Sequence, residues 1–445
     1  MRRILLAGLV LFILAALSLS TLSLPSLSAA PRVRPPRGPL AKPANLAAYV
    51  SDEILVAFRP GIRPDTAAQA VGARVHSQIE GLGVHILKVP QGTVEGTLRA
   101  LEHNPLVEFA EPNGFVYAFA NPNDPYANGI CYWDSSGQCT TQWAWAKVQG
   151  PQAWDLTTGS AAVRVAVVDT GIDAGDPSGL PPDPPHEDLG AGSRCNSPTT
   201  PVILKSYVSG ERGNDDNGHG THIAGVIGAC TNNTWAVAGA NWAIQLMGVK
   251  VLSWYGSGTW SAVASGIRWA ADNGAKVINL SLGGSGGSNT LRRAVDYAWS
   301  RGAVLACAAG NSGNSARSYP AFYTNCIAVA ATDGNDQKPS WSSYGNWVEV
   351  AAPGVAILST TQDTWEWCFL CWGEGYYEGY DSLSGTSMST SFVSALAALI
   401  WASGKCGTSN SCVRSRIENN ADAIAGTGTY WTKGRINFYR ALNAP

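Results

Sequence analysis

Five apolar segments constrain this chain more than any other feature: "VRVAVVDTG" (163–171), "IQLMGVKVL" (244–252), "AKVINLSLGG" (275–284), "AVLACAAGN" (303–311) and "CIAVAATD" (326–333). None alternates polar with apolar residues, as a strand with one solvated face would. Between them lie stretches with apolar residues at helical spacing, such as "HGTHIAGVIGA" (219–229), "SGTWSAVASGIRWAADNG" (257–274) and a segment over 289–301. Doubly buried strands separated by helices predict an α/β fold, a parallel sheet covered by helices on both faces. Ligands of such sheets gather at the carboxyl ends of the strands. Asp169, Gly283-Gly284 and Asn311 fall at such ends.

The chain before residue 119 reads differently. "EILVAF" (53–58) is strand-like, "PDTAAQAV" (64–71) helical, and "ARVHSQI" (73–79) and "GVHILKV" (83–89) alternate. "TVEGTLRALEHN" (93–104) is an amphipathic helix with Thr93 as its expected cap, and "LVEFAEP" closes as a strand. The order βαββαβ predicts a small α+β, ferredoxin-like domain over residues 51–118. It holds no cysteine and no catalytic cluster, which suits a removable prodomain; a permanent accessory domain is the alternative. Residues 31–50 form a linker, Pro-rich and basic in "PRVRPPRGPLAKPAN". Residues 1–30 have the pattern of a signal peptide, with Arg2-Arg3 before an apolar run and Ser28-Ala29-Ala30 at its end. A retained membrane anchor is the alternative. The remainder, 119–445, is expected to be exported and extracellular, with no membrane association once the signal is removed.

Charge and cysteines narrow the class. Lys and Arg number 30 against 32 Asp and Glu, with no basic block of the kind that tracks nucleic acid, so nucleic acid is not expected as a partner. All ten cysteines follow residue 130. An even number in an exported chain implies disulfides. The expected pairs are Cys131–Cys139, Cys368–Cys371, Cys406–Cys412, Cys195–Cys230 and Cys307–Cys326, although spacing does not determine connectivity.

Chemistry concentrates in three short stretches: "VVDTGID" around Asp169, "NGHGTHIAG" around His219 and "SGTSMSTSF" around Ser387. Nucleophilic hydrolysis needs a hydroxyl, a base to take its proton and a carboxylate to fix the tautomer of that base. Singly, each residue has a plainer reading: Asp169 as a strand end, His219 as a buried histidine, Ser387 as a helix cap. Together, in the chain order Asp, His, Ser, they match one of the known orders of such triads. His222 makes an H-x-x-H pair with His219, but no third ligand accompanies it, so core packing is expected.

These stretches, with "PNDPY", "GPQAWDLTTG", "GSGTWSAVASGI", "AAGNSGN" and "GTGTYWTKGRIN", resemble the subtilisin-like serine proteases, closest to the thermitase-type branch. The resemblance covers residues 121–445, and the upstream unit is similar to that family's inhibitory propeptide. It implies a secreted endopeptidase of broad specificity, made as a self-processing zymogen and active as a monomer. Its partners would be protein substrates and its own propeptide, with cleavage near residues 117–121. A catalytically silent, peptide-binding homologue is the alternative. An esterase would normally show the chain order Ser, Asp, His, whereas the order here is Asp, His, Ser.

By motif, Ser387 would be the nucleophile, His219 the base and Asp169 its partner, with the Ser387 N–H and Asn311 as oxyanion donors. Ser389, Ser391 and Phe392 depart from the family's usual Ala, Pro and His. Ser281, Leu282 and Gly283 on one side, and Gly256, Ser257 and Gly258 on the other, would flank the substrate backbone. Ala308, Ala309 and Gly310 would wall a pocket for a large apolar side chain. A structural Ca2+ would be held by Asp124, Asp188 and Asn233 and by the carbonyls of Cys230, Trp235 and Val237. The aromatic insert 363–380 could form a subsite or a self-packed loop.

Overall fold

The protein was analysed as a computed structural model, in which residues 49–118, 142–175, 185–190, 202–231, 237–362 and 379–445 are described. The signal segment, the linker up to residue 48 and residues 363–378 of the aromatic insert lie outside the described residues, the last two linker residues being the start of the first strand.

The amino-terminal unit runs β1 (Tyr49–Phe58), α1 (Pro64–Gln69), β2 (Arg74–Ile79), β3 (Val84–Lys88), α2 (Val94–Leu101) and β4 (Val107–Ala118). Its strands pair antiparallel in the order β4-β1-β3-β2, the expected βαββαβ fold. The near-continuous apolar run of β1 has a simple cause. Ile54 and Val56 pack with Ala68, Val94 and Leu101 beneath the unit's own helices, while Leu55 and Ala57 join a different core. Both faces of the sheet are therefore covered. Thr93 does not cap α2 through its side chain; its hydroxyl instead donates to the Pro90 carbonyl at 2.7 Å.

The body continues with α3 (Trp143–Lys147), α4 (Gly150–Trp154), β5 (Gly159–Asp169), β6 (Ile203–Ser206), α5 (His219–Gly228), β7 (Ala243–Lys250), β8 (Ser257–Thr259) and α6 (Trp260–Asp272). Next come β9 (Val277–Leu280), β10 (Leu282–Gly283), α7 (Asn289–Ser300), β11 (Val304–Ala308), β12 (Cys326–Thr332), β13 (Val350–Pro353), β14 (Ile357–Thr360) and β15 (Tyr380–Leu383). It closes with α8 (Thr386–Ala402), α9 (Asn410–Asn419), β16 (Gly434–Arg435) and α10 (Phe438–Asn443).

The main sheet has the order β16-β13-β12-β11-β9-β5-β7-β6, with parallel neighbours throughout. In β5, Val163, Val165 and Val167 face one core and Ala166 and Val168 the other. The first core holds α5 and α8, through Ile223, Ile227, Phe392 and Leu399. The second holds α6 and α7, through Val263, Ile267, Leu291 and Val295. Burying each such side chain contributes about 1.5–3 kcal/mol. Helix α8 is buried from Thr386 to Trp401, which explains why its sequence is small or apolar all round. From β5 the chain builds β7 on one side and β9 on the other, so a crevice opens at the carboxyl end of β5.

The amino-terminal unit lies on α6 and α7. Leu55, Ala57, Ile79, Leu82 and Val84 join the core of those helices. Arg268 pairs with Glu80 at 3.1 Å, and Arg293 pairs with Glu108. Strand β4 is longer than the sequence pattern implied. Up to Gly114 it pairs with β1, with a register shift between Pro112 and Gly114; from Phe115 to Ala118 it lies between β8 and β10.

Two expected disulfides are present, Cys307–Cys326 and Cys406–Cys412. Cys230 is disulfide-bonded, and among the described residues no cysteine is free. Cys131, Cys139, Cys195, Cys368 and Cys371 lie outside the described residues. Among the described residues no helix is long and apolar enough to cross a membrane.

Candidate active site

Asp169 is the last residue of β5, at the crevice, and is fully buried. Its Oδ1 accepts from the Thr170 N–H at 2.8 Å and from His219 Nδ1 at 2.7 Å. A carboxylate only accepts, so Nδ1 carries the proton of this bond. His219 opens α5 and is 3% exposed. The helix comes close enough because Gly220 follows: a Cβ there would sit 2.0 Å from the Gly171 carbonyl oxygen. The Gly220 N–H donates to Thr170 Oγ1 at 2.9 Å, which ties the two segments together.

Ser387 lies in the first turn of α8, where helix N–H groups lack intrahelical partners and the positive dipole end points outward. The register Val167↔Asn279 sets the end of β9 beside the end of β5, so Ser281 neighbours Asp169. Ser387 Oγ donates to the Ser281 carbonyl at 3.1 Å, and Ser281 Oγ donates to the Ser387 carbonyl at 2.9 Å. The bonded pairs Asp169–His219 and Ser281–Ser387 thus both stand at the carboxyl edge of one sheet.

Asn311 follows β11 at the same edge. Its Oδ1 accepts from the N–H and the hydroxyl of Thr386, at 3.0 and 3.1 Å. Those two bonds fix the amide, and Nδ2 is buried with no hydrogen-bond partner among the described residues. A buried donor left unmatched costs about 1–3 kcal/mol. Ala308 and Ala309 are fully buried at the end of β11, and the Gly310 N–H donates to Thr386 Oγ1 at 3.1 Å.

Between β8 and β10 runs the chain's own β4. Phe115, Val116 and Tyr117 pair with Thr259, Gly258 and Ser257, while Tyr117 and Ala118 pair with Gly283 and Leu282. The expected substrate-flanking segments are therefore two strand edges that already hold an extended peptide, by β-augmentation. Gly258 is required there, since a Cβ would meet the Val251 carbonyl oxygen at 2.1 Å. Gly256, at φ +73°, turns the chain into β8.

His222 is apart from this chemistry. It is fully buried, its Nε2 bonds the Ile357 carbonyl at 2.9 Å, and burial lowers its pKa to about 3. Core packing was the expectation, and the neutral ring meets it. Phe392 packs against Trp145 with centroids 4.8 Å apart. Ser389 Oγ donates to the Ala352 carbonyl at 3.0 Å.

Of the expected calcium ligands, Asp188 is fully buried, and its carbonyl accepts from the Cys230 N–H at 2.8 Å. His186, whose pKa is lowered by burial, accepts from the Asp188 N–H at 3.1 Å. Val237 is buried as well. Asp124, Asn233 and Trp235 lie outside the described residues, and among the described residues no cluster of three His, Cys, Asp or Glu could hold a metal.

Two supporting residues escaped sequence reasoning. Asp215, 2% exposed, takes the Asn217 and Gly218 N–H groups on Oδ1, both at 3.0 Å, and the Thr221 N–H and hydroxyl on Oδ2, at 2.9 and 2.6 Å. It caps α5 and so holds His219; an Asp four residues before a helical histidine was the available signal. Lys250, fully buried, bonds the Thr170 carbonyl at 2.8 Å, Asp216 at 2.6 Å and Glu211 at 3.0 Å. Nothing local in "GVKVL" foretells those partners.

Comparison with known proteins agrees with this geometry. Residues 160–437 match the model of the subtilase family, and residues 36–113 match that of the fervidolysin N-terminal prodomain. Thermitase of Thermoactinomyces vulgaris is 44% identical over 321 residues, covering 72% of this chain and 99% of that protein. A thermophilic serine proteinase of Bacillus sp. strain AK1 is 39% identical, with 89% and 88% covered. Among solved structures, fervidolysin of Fervidobacterium pennivorans, a keratinolytic enzyme related to subtilisin, aligns at TM-score 0.69 and 25% identity. That alignment covers 90% of this chain and 62% of fervidolysin. The chain belongs to the subtilase family, as a subtilisin-like serine protease of the thermitase type with an N-terminal prodomain.

Proposed function

We propose that Ser387 is the nucleophile of a secreted, self-processing endopeptidase, with His219 as general base and Asp169 as its orienting partner. The observation that carries this reading is the buried 2.7 Å bond from His219 Nδ1 to Asp169, at the sheet edge where Ser387 bonds the neighbouring Ser281. His219 Nε2 takes the Ser387 proton as Oγ attacks the peptide carbonyl. The tetrahedral oxyanion is met by Asn311 Nδ2 and the Ser387 N–H. His219 then passes the proton to the departing amine, and water hydrolyses the acyl-enzyme by the reverse roles.

Pairing through main chain against Gly256–Gly258 and Ser281–Gly283 supports broad specificity. The small residues Ala308, Ala309 and Gly310 leave room for a large apolar side chain. Calcium would be held by Asp124, Asp188 and Asn233 and by the carbonyls of Cys230, Trp235 and Val237. That donor set is all oxygen, which suits Ca2+, and the bonded Asp188–Cys230 pair supports it. The ion would supply cross-linking of the fold and no chemistry. We assign residues 1–30 to a signal peptide, 31–50 to a linker, 51–118 to the inhibitory prodomain and 119–445 to a monomeric peptidase domain.

Ser387→Ala tests the assignment. The variant is expected to accumulate as an unprocessed precursor without activity on casein, and a fluorophosphonate probe is expected to label the wild type at Ser387. Normal maturation of the variant, or labelling elsewhere, would overturn it.

A further inference from the structure

We propose that Asn279 is a positioning residue for Ser387, acting through the hydroxyl of Ser281, with Ser394 holding its amide. The proposal rests on the reading of Ser387 as nucleophile and deepens it.

Strand β9 is central in the main sheet, yet one of its faces turns polar. Ile278 and Leu280 join the core of α6 and α7, whereas Val277 joins the core that holds α8. Residues two apart share a face of a strand, so Asn279 and Ser281 follow Val277 toward α8. On that helix Ser387 and Ser394 are seven residues apart, close to two full turns, and so share a face. All four polar residues are fully buried.

Their hydrogen bonds form one directed chain. Ser394 Oγ donates to Asn279 Oδ1 at 2.9 Å, and Asn279 Nδ2 donates to Ser281 Oγ at 2.8 Å. Ser281 Oγ then donates to the Ser387 carbonyl at 2.9 Å. Chemistry forces this direction. A carbonyl only accepts, so Ser281 spends its single proton on Ser387 and must accept from Asn279. That requirement turns the Asn279 nitrogen toward Ser281 and its oxygen toward Ser394, whose hydroxyl has a proton to give.

The chain supplies what the rest of the contact lacks. Elsewhere α8 meets the core through Phe392, Leu396 and Leu399. Apolar burial is non-directional, so it tolerates small slides and rotations of the helix. A fully satisfied buried polar network specifies one arrangement. The register of α8 is what places Ser387 Oγ and the Ser387 N–H, and a misplacement of about 1 Å can lower a rate by about 10². With leucine at position 279, the Ser281 hydroxyl loses the donor that fixes its rotamer, and Ser394 loses its acceptor.

The test compares the wild type with Asn279→Leu, Ser281→Ala, their double variant and Ser394→Ala, each expressed as the full chain and allowed to mature. The rate of fluorophosphonate labelling at Ser387 is measured well below each Tm, with kcat and KM on a peptide substrate. Asn279→Leu is expected to slow labelling and kcat by about tenfold or more, with KM within about twofold of wild type. Ser394→Ala, which leaves the amide in place, is expected to lose about threefold. Since Asn279 acts through Ser281, the double variant is expected to be no slower than Ser281→Ala alone, a non-additivity that lowered stability would not produce. Additive losses, or unchanged labelling in Asn279→Leu, overturn the proposal. Should Asn279→Leu fail to fold or mature, an unchanged labelling rate in Ser394→Ala overturns it instead. A wild type that is not labelled at Ser387 would overturn the nucleophile assignment itself.

Discussion

Asn311 separates a catalytic from a turn role at the level of one side chain. Its Oδ1 is committed to Thr386, while its buried Nδ2 has no partner among the described residues. A donor kept unmatched in the resting enzyme contributes only when negative charge develops beside it. Asn311→Ala is expected to lower kcat by about 10²–10³ with little change in KM. Peptide-substrate kinetics check this; a loss below tenfold together with a lower Tm would return Asn311 to the role of a turn residue. That Asp169, His219, Asn311 and Ser387 would stand at one sheet edge was legible because each sits in a short local pattern at the end or start of an element. Lys250 was not, because its acceptors come from Thr170, Glu211 and Asp216, brought near only by the parallel register Asp169↔Lys250.

Among the elements, the contact of β4 with α7 decides how firmly the prodomain is held. Glu111 is 8% exposed and faces three donors at the start of α7, where its charge also meets the positive end of the helix dipole. Hydrogen bonds to a charged group contribute about 1.5–3 kcal/mol each, so Glu111→Ala is expected to raise the prodomain's Kd by about 10² or more. After self-cleavage, peptidase activity should then appear with a shorter lag than in the wild type. An unchanged lag would show that the cap does not govern release. The ferredoxin-like pattern was readable from alternation and helical spacing. The reach of β4 was not, since its last residues, "GFVYA", carry no period and gain their strand conformation from β8 and β10.

Across the whole molecule, calcium is a question of linkage. A ligand that binds only the folded chain stabilises it by about 2.7 kcal/mol at a hundred times its Kd. Chelation is therefore expected to lower Tm by about 5–10 °C, read by calorimetry with and without EDTA; an unchanged Tm removes the assigned ligand set. The doubly buried strands and the motifs at their ends determined, from sequence alone, a parallel α/β body, the protease class its motifs belong to and a small domain before it. Hydrophobic periodicity and local motif chemistry are properties of neighbouring residues, and so they survive in a linear string. Only the tertiary structure decided that β4 would leave its own sheet to lie in the cleft and that Lys250 would be buried beneath Thr170. Those outcomes depend on strand register and on pairings between residues far apart in the chain, which no local pattern encodes.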